Sequence, residues 1–314
     1  MFLKHIKTYL VMTNIIEIKD RDFAIRLDRF LRTINPFLTQ GVIEQYLRKG
    51  LIKVNEKKAE SSLRLINGDK IFVADSIEDQ LKPRSRKLEV KNTPIVSKLA
   101  QKLLSEYLVY DHEAFVAVNK PSGLASQGGT KITLSLDDAL VYLSDQGVDL
   151  RLVHRLDKDT SGIILIAKSS ENADRFMKAF QKHKIHKTYM AILSSVPQKS
   201  KGRIESYLIK EKDFEVSTYE EEVEGSKVAV TEYEIIKIIN DKALVKFYPL
   251  TGRMHQLRVH SKLIGCPIVG DEKYGGVESD KLMLHAAAVL IDKDVFGEEI
   301  QIACPIPEYF NICL

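Results

Sequence analysis

The hydrophobic spacing divides the chain into a front module and a larger body. Leu27, Phe30, Leu31 and Ile34 recur at i, i+3, i+4 and i+7, which predicts a helix over 26–33 with one apolar stripe. Arg26, Arg29 and Arg32 repeat on its other side, and Pro36 ends it. Thr39 is placed to cap a second helix over 42–49, closed by Gly50. A short strand over 51–55, an Asn67-Gly68 turn and a return strand over 70–73 complete the module. In this pattern Leu27, Phe30, Leu31, Val42, Ile43 and Leu47 form its core.

Further on, Phe115-Val116-Ala117-Val118 predicts a strand running into Asn119-Lys120-Pro121-Ser122-Gly123, and Leu99, Leu103 and Leu104 suggest a short helix before it. The unbroken run Ile163-Ile164-Leu165-Ile166-Ala167 predicts a buried strand. A helix capped by Ser169 or Ser170 runs through Phe176 and Phe180, and a strand spans 187–193. Ala243-Leu244-Val245-Lys246-Phe247 reads as a strand, and Thr251 as the cap of a helix reaching about residue 263, with Gly265 past its end.

Composition changes this picture in two ways. The 314 residues are 44% apolar and 29% charged, which describes a soluble globular protein of two domains. No apolar run is long enough to span a bilayer, and residues 1–13 lack the features of a signal peptide. Met12 could serve as the start, with the first eleven residues a disordered extension. Cys266, Cys304 and Cys313 show no paired or zinc-binding spacing, which suits a reducing cytoplasm. The net charge of +4 is unevenly spread: residues 1–100 hold 20 Lys/Arg against 12 Asp/Glu, a net of +8, leaving −4 for the rest. A basic front end on a near-neutral body suggests a nucleic-acid grip, although a solvated lysine-rich surface would look the same.

The candidate chemistry centres on His154-Arg155-Leu156-Asp157-Lys158-Asp159-Thr160-Ser161-Gly162, a polar loop feeding the buried strand. A strand anchored in the core holds such a loop still, so Asp157 is expected fixed and near solvent. The same residues are also good turn formers. Asp157-Lys158-Asp159-Thr160 comes close to the Asp-x-Asp-x-Thr pattern of phosphotransferases that form an aspartyl phosphate. There, however, the strand precedes the motif, and no acidic pair follows here to hold a metal. A second constellation, Thr251-Gly252-Arg253-Met254-His255-Gln256-Leu257-Arg258-Val259-His260, combines arginines with a helix start and so offers an anion site. His255 and His260 are read as structural because their spacing does not suit one helical face and no carboxylate accompanies them. Gly128-Gly129 is read as a turn, and Tyr189 alone would be a half-buried strand residue.

Taken in order, these motifs resemble those of the RluA-type pseudouridine synthases. They are Asn119-Lys120-Pro121-Ser122-Gly123, His154-Arg155-Leu156-Asp157 with Asp159-Thr160-Ser161-Gly162, Lys187-x-Tyr189-x-Ala191, the 251–260 run, and Gly270-Asp271 with Tyr274-Gly275. Ser122-Gly123-Leu124-Ala125 leading into Gly128-Gly129 is most similar to the RluC-like branch that modifies large-subunit (23S) ribosomal RNA, with Gln127 where that branch is expected to carry histidine. Over residues 24–75 the front module resembles the S4 RNA-binding domain. The resemblance implies an α+β fold: a mostly antiparallel mixed sheet with flanking helices, plus the small S4-like αβ module. It divides the chain into an extension (1–23), the S4-like domain (24–75), a linker (76–105, basic and flexible at Pro83-Arg84-Ser85-Arg86-Lys87) and a catalytic domain (106–314).

The resemblance also assigns roles. Asp157 would be the essential carboxylate, as nucleophile on the ribose or as base, Tyr189 would stack on the target uracil, and Arg258 would pair with Asp157. Arg155 would fill the gap left by the displaced base. Lys120 and Arg253 would hold phosphate or sugar, with His154 and Lys187 among the RNA-binding residues. Arg26, Arg29, Arg48, Lys49 and Lys53 would meet RNA phosphates through the front module. Uracil is a delocalised leaving group, so no cofactor and no metal are expected; an ionised carboxylate beside a cation is. The expected protein is a monomeric cytoplasmic enzyme acting on ribosomal RNA or a large-subunit precursor, with no membrane partner. The reading from another class is a catalytically silent S4-type RNA-binding assembly factor.

Overall fold

The structure, a computed structural model, describes residues 9–12, 15–19, 25–35, 38–81, 94–128, 132–211 and 216–312. The chain forms two compact units, residues 1–91 and 92–314.

In the first unit, helices Leu27–Ile34 and Gln40–Arg48 form where the apolar stripe requires them. Thr39 accepts a hydrogen bond from the Val42 amide, the expected cap. Leu27, Phe30, Leu31 and Ile43 are fully buried with Leu65 and Ile71. The expected extension over 1–23 is corrected by two strands, Tyr9–Met12 and Ile15–Ile18, which form a hairpin. Ile15–Ile18 also pairs antiparallel with Lys70–Val73. Ile16 and Ile18 are buried while Ile15 and Glu17 are only partly covered, so a short period-2 pattern places this segment in the sheet. The expected linker over 76–105 is also narrower. Ile77 and Leu81 pack into the first core, and helix Pro94–Leu104 packs Leu99, Ala100 and Leu103 into the second. The basic stretch 83–87 lies outside the described residues, as do Gly129 and Thr130 of the loop after Gln127.

The second unit is built on one sheet, which among the described residues has eleven strands. Its main path runs Val216–Tyr219, Lys201–Lys210, Lys227–Ile239, Lys242–Pro249, Ile185–Leu193, Leu284–Ile291, Ser161–Ala167, Phe115–Lys120 and Leu108–Asp111. Ile300–Ala303 pairs with Leu284–Ile291, and Arg151–Leu152 with Ser161–Ala167. The pairings are antiparallel except between Ser161–Ala167 and Leu284–Ile291, which run parallel. The fold is therefore α+β with a mostly antiparallel mixed sheet.

The apolar run 163–167 explains the layering. Ile164 and Ile166 face a core shared with helices Pro94–Leu104 and Leu136–Asp145. Ile163 and Leu165 face the other side, against Phe115, Phe176 of helix Ser170–Gln181, and Ile302. A strand covered on both faces has no polar side to show, which is why its residues read as a continuous run. Each such buried side chain contributes roughly 1.5–3 kcal/mol. No helix among the described residues is long and apolar enough to cross a membrane.

Candidate active site

The parallel junction sets the site. Gly162 pairs with Ala286, and Ala286 pairs on its other side with Tyr189, so three strands carry these residues at one level of the sheet. Gly162 has φ +109°, and a Cβ there would lie 2.3 Å from the Ala286 carbonyl oxygen; only glycine lets the two strands meet. The polar loop enters at this point, which brings Asp157 to the sheet end beside Tyr189.

The backbone of the loop is pinned from one side by the segment after strand Phe115–Lys120. Ser126 Oγ donates to the Leu156 carbonyl (2.6 Å) and accepts from the Leu156 amide (3.0 Å). Ser122 Oγ donates to the Asp159 carbonyl (2.9 Å), and the Gly123 amide to that of Lys158 (3.0 Å). Lys120, expected to hold phosphate or sugar, is fully buried. Its Nζ donates to the carbonyls of Pro121 (3.1 Å), Leu124 (2.8 Å) and Lys158 (3.0 Å). With all three donors used inside the protein, it is a structural lysine. Burial lowers its pKa to about 8, with Asp159 and Asp157 partly opposing that shift.

His154, half-buried on the pocket lining, is tied to the fold. Its Nε2 accepts the Leu165 amide (2.8 Å), and burial, with Lys187 nearby, lowers its pKa to about 3. It is a neutral imidazole that ties the loop to the strand. At the other end of the loop, Ser161 Oγ bonds Nδ1 of His285 (2.9 Å) and the Tyr309 hydroxyl (2.7 Å).

The opposite wall carries charge. Arg258, on helix Gln256–Leu263, makes a bidentate pair with Asp271 (2.7 Å and 2.7 Å), whose side chain has no exposure. The expected pairing of Arg258 with Asp157 is therefore secondary: Nη1 lies 4.0 Å from Asp157 Oδ2. Asp271 holds the guanidinium and aims it, and Asp157 receives its field. Burial opposes the charge on Arg258, but the hydrogen bonds and charge of Asp271, with Asp157 adding, keep its pKa above the ordinary value. His255 Nε2 is 3.9 Å from Asp157 Oδ2, and its Nδ1 lies 2.8 Å from the Tyr274 hydroxyl. Burial lowers its pKa, Asp157 pulls the other way, and Arg258 adds to the lowering. His255, read from the sequence as structural, thus stands at the carboxylate.

The helix starts later than expected because Thr251 does not cap it. Gln256 Oε1 accepts from Thr251 Oγ1 (2.7 Å) and from the Arg253 amide (3.0 Å), while its Nε2 donates to Val230 O and Thr231 Oγ1 (2.9 Å each). This amide folds 251–255 into a turn, with His255 in the left-handed region (φ 53°), and the helix begins at Gln256. His260 is fully buried between Ser206 and Thr231, a structural histidine as expected.

An open pocket of about 690 Å³ lies against this wall, lined by Asp157, Tyr189, Lys187, Arg253 and Arg258 among others. A second, of about 790 Å³, lies beyond Asp157 and shares Arg155, Asp157, His255 and Arg258 with the first. Arg155 is exposed on the rim of both, its Nη1 3.5 Å from Gln127 Oε1. Arg253 is exposed, with Nε bonded to the Val228 carbonyl (3.0 Å). Tyr189 is buried, and burial together with the negative charge of Asp157 pushes its phenol well above the ordinary tyrosine pKa. Among the described residues no group of three His, Cys, Asp or Glu side chains is placed to hold a metal ion.

In the first unit, Arg29, Arg48, Lys49 and Lys53 are exposed. Arg26 departs from that set: its guanidinium is paired with Asp28 (2.8 Å and 3.1 Å) while staying partly exposed. Two partners that position the site, Asp271 and Gln256, are nearly silent in the linear pattern. Their only linear signal is the Gly270-Asp271 turn and the Gln256 that interrupts a run of cations.

Comparisons with known proteins agree with this geometry. Residues 114–263 match the family model of RNA pseudouridylate synthase. A Rickettsia bellii protein called ribosomal large subunit pseudouridine synthase C is 45% identical over 296 residues, covering 92% of this chain and 96% of the relative. An Escherichia coli K12 protein of the same name is 29% identical over 330 residues, covering 98% of each. Among solved structures, human RNA pseudouridylate synthase domain containing 4 is 27% identical with a TM-score of 0.60, over 69% of this chain and 94% of that one. The human domain containing 1 protein is 28% identical with a TM-score of 0.53. The parallel junction that presents Asp157, the tyrosine beside it and identity across nearly the whole chain lead to one conclusion: this chain belongs to the RluA-type RNA pseudouridine synthases.

Proposed function

We propose that the protein converts specific uridines of large-subunit (23S) ribosomal RNA to pseudouridine, with Asp157 as the essential carboxylate. The observation that carries this reading is the placement of Asp157 Oδ2 4.0 Å from Arg258 and 3.9 Å from His255, at a pocket floored by the buried Tyr189. The reaction breaks the bond between C1′ and N1, turns the uracil, and joins C1′ to C5. The C5 proton then moves to solvent or to N1. A carboxylate serves either route to cleavage, by bonding C1′ or by drawing a proton from the sugar, and a nearby guanidinium stabilises its charge.

Uracil must first leave its stack, at a cost of a few kcal/mol. Stacking on Tyr189 returns roughly 1–3 kcal/mol, and Arg155 at the rim is placed to occupy the vacated position. The raised pKa of Tyr189 makes it a neutral platform and hydrogen-bond donor rather than a phenolate base. The first unit supplies an S4-like grip: exposed Arg29, Arg48, Lys49 and Lys53 release counterions from RNA without reading sequence. The enzyme works as a cytoplasmic monomer with no cofactor.

Carbodiimide-adduct primer extension across unmodified large-subunit rRNA tests this directly. Wild type is expected to produce reverse-transcription stops at discrete uridines, and Asp157→Asn to lose them at least a thousandfold while still binding RNA. No stops with a folded, RNA-binding wild type, or stops that survive in Asp157→Asn, would overturn the assignment.

A further inference from the structure

Among the described residues burial lowers the pKa of two lysines of the catalytic unit, the fully buried Lys120 and the half-buried Lys187, and only one of them has hydrogen-bond partners. Lys120 spends its donors on three carbonyls. Lys187 has none. It stands two residues before Tyr189 on strand Ile185–Leu193, and both side chains line the 690 Å³ pocket. Its ammonium lies under the loop that carries Gly252, where an added Cβ would come within 3.6 Å of Nζ. The Phe180 ring centroid is 5.9 Å away. The neighbouring titratable group, His154, is held neutral by the Leu165 amide. Among the described residues no carboxylate lies within 4.0 Å of Nζ, and no hydrogen-bond acceptor is engaged by it. Burial alone shifts the Lys187 pKa, downward, with no anion offsetting it.

A desolvated cation without a protein counter-charge is costly to keep, and it faces an open pocket. Lys187 and Tyr189 are two residues apart on one strand, about 7 Å, roughly the span of one nucleotide. We infer that Lys187 binds one RNA phosphodiester, the one flanking the uridine whose base lies on Tyr189. This rests on the uridine-isomerase reading. Because Lys187 lies on the inner wall, the phosphate reaches it only when the nucleotide has left its stack and entered the pocket. The contact thus favours the extruded state and adds little to first encounter with folded RNA.

The test is a double cycle with Lys187→Met, which keeps the stem length and removes the charge. The substrates are rRNA segments spanning a uridine that wild type converts, each with one neutral methylphosphonate, placed 5′ or 3′ of that uridine. One of the two should lower wild-type kcat/KM tenfold to a hundredfold. Lys187→Met should show a similar loss on the all-phosphate RNA and no further loss on that methylphosphonate substrate. Lys187→Arg should recover most of the rate. The thermal midpoint of Lys187→Met should equal or exceed that of wild type, since an uncompensated charge is gone. Losses that multiply at both positions, a variant as fast as wild type, or a fall in kcat with methylphosphonate sensitivity retained would overturn the assignment. If Lys187→Met does not fold, Lys187→Gln enters the same cycle. Wild-type turnover on unmodified RNA is the internal reference: its absence refutes the isomerase reading, whereas turnover with multiplying losses refutes only the phosphate seat.

Discussion

The two walls that meet at Asp157 are held by different physics. On one side, segment 120–126 and loop 154–162 are joined by bonds to main chain, Ser126 to Leu156, Ser122 to Asp159 and Lys120 to Lys158, and His154 ties the loop to Leu165 of the strand that follows. On the other, a buried bidentate ion pair, Arg258 with Asp271, aims a cation across the gap. The first wall fixes where the carboxylate is. The second fixes the field it feels. A backbone pinned at several points tolerates loss of one bond, because each contributes only about 1 kcal/mol net. A largely buried charge that loses the carboxylate holding it by two hydrogen bonds does not, even with Asp157 standing 4.0 Å away.

The largest effect should follow from Asp271→Asn. It takes the bidentate carboxylate from the Arg258 guanidinium, leaving only Asp157 at 4.0 Å, and should cost about 3–5 kcal/mol in urea unfolding, with loss of turnover. A change below about 1 kcal/mol would mean that the charged wall is no more fragile than the neutral one. Next comes Lys120→Met, read against pH. Burial lowers the folded-state pKa of Lys120 to about 8 from the ordinary lysine value of 10.5, so the unfolded chain holds the proton more tightly between those values. Wild-type stability relative to Lys120→Met should therefore rise with pH through this window, by roughly 3 kcal/mol in total, and be flat below it. Parallel curves across the window would show that Lys120 is not desolvated. The smallest effect separates buried from exposed charge. Arg48→Ala and Lys49→Ala should each lower the slope of log binding constant against log salt by about 0.7–0.9, and leave kcat unchanged. An unchanged slope would remove those side chains from the RNA grip.

Much of this was legible in the linear pattern. The apolar stripe of Leu27, Phe30, Leu31 and Ile34, the Thr39 cap and the buried run 163–167 are local signals, and the structure places each as expected. The loop around Asp157 was recognisable for the same reason: turn chemistry abutting a strand. What misled was the identity of polar residues taken without their surroundings. Lys120 and His154 look like ligand groups by type, yet both are consumed by backbone. Arg258 does stand beside Asp157, at 4.0 Å, but its hydrogen bonds go to Asp271, thirteen residues on, which the spacing did not show. Ile15–Ile18 was too short to read as a strand without its partner some fifty residues away.

The sequence by itself determined most of the elements, the family and the candidate carboxylate, because periodicity, caps and ordered motifs are written in near neighbours. Tertiary structure alone decided which cations are spent and which are free. Lys120 and Lys187 are the same residue type, both desolvated, but one faces three carbonyls and the other an open pocket. Whether a charge is satisfied depends on what the fold brings to it from distant parts of the chain, and desolvation makes that difference large.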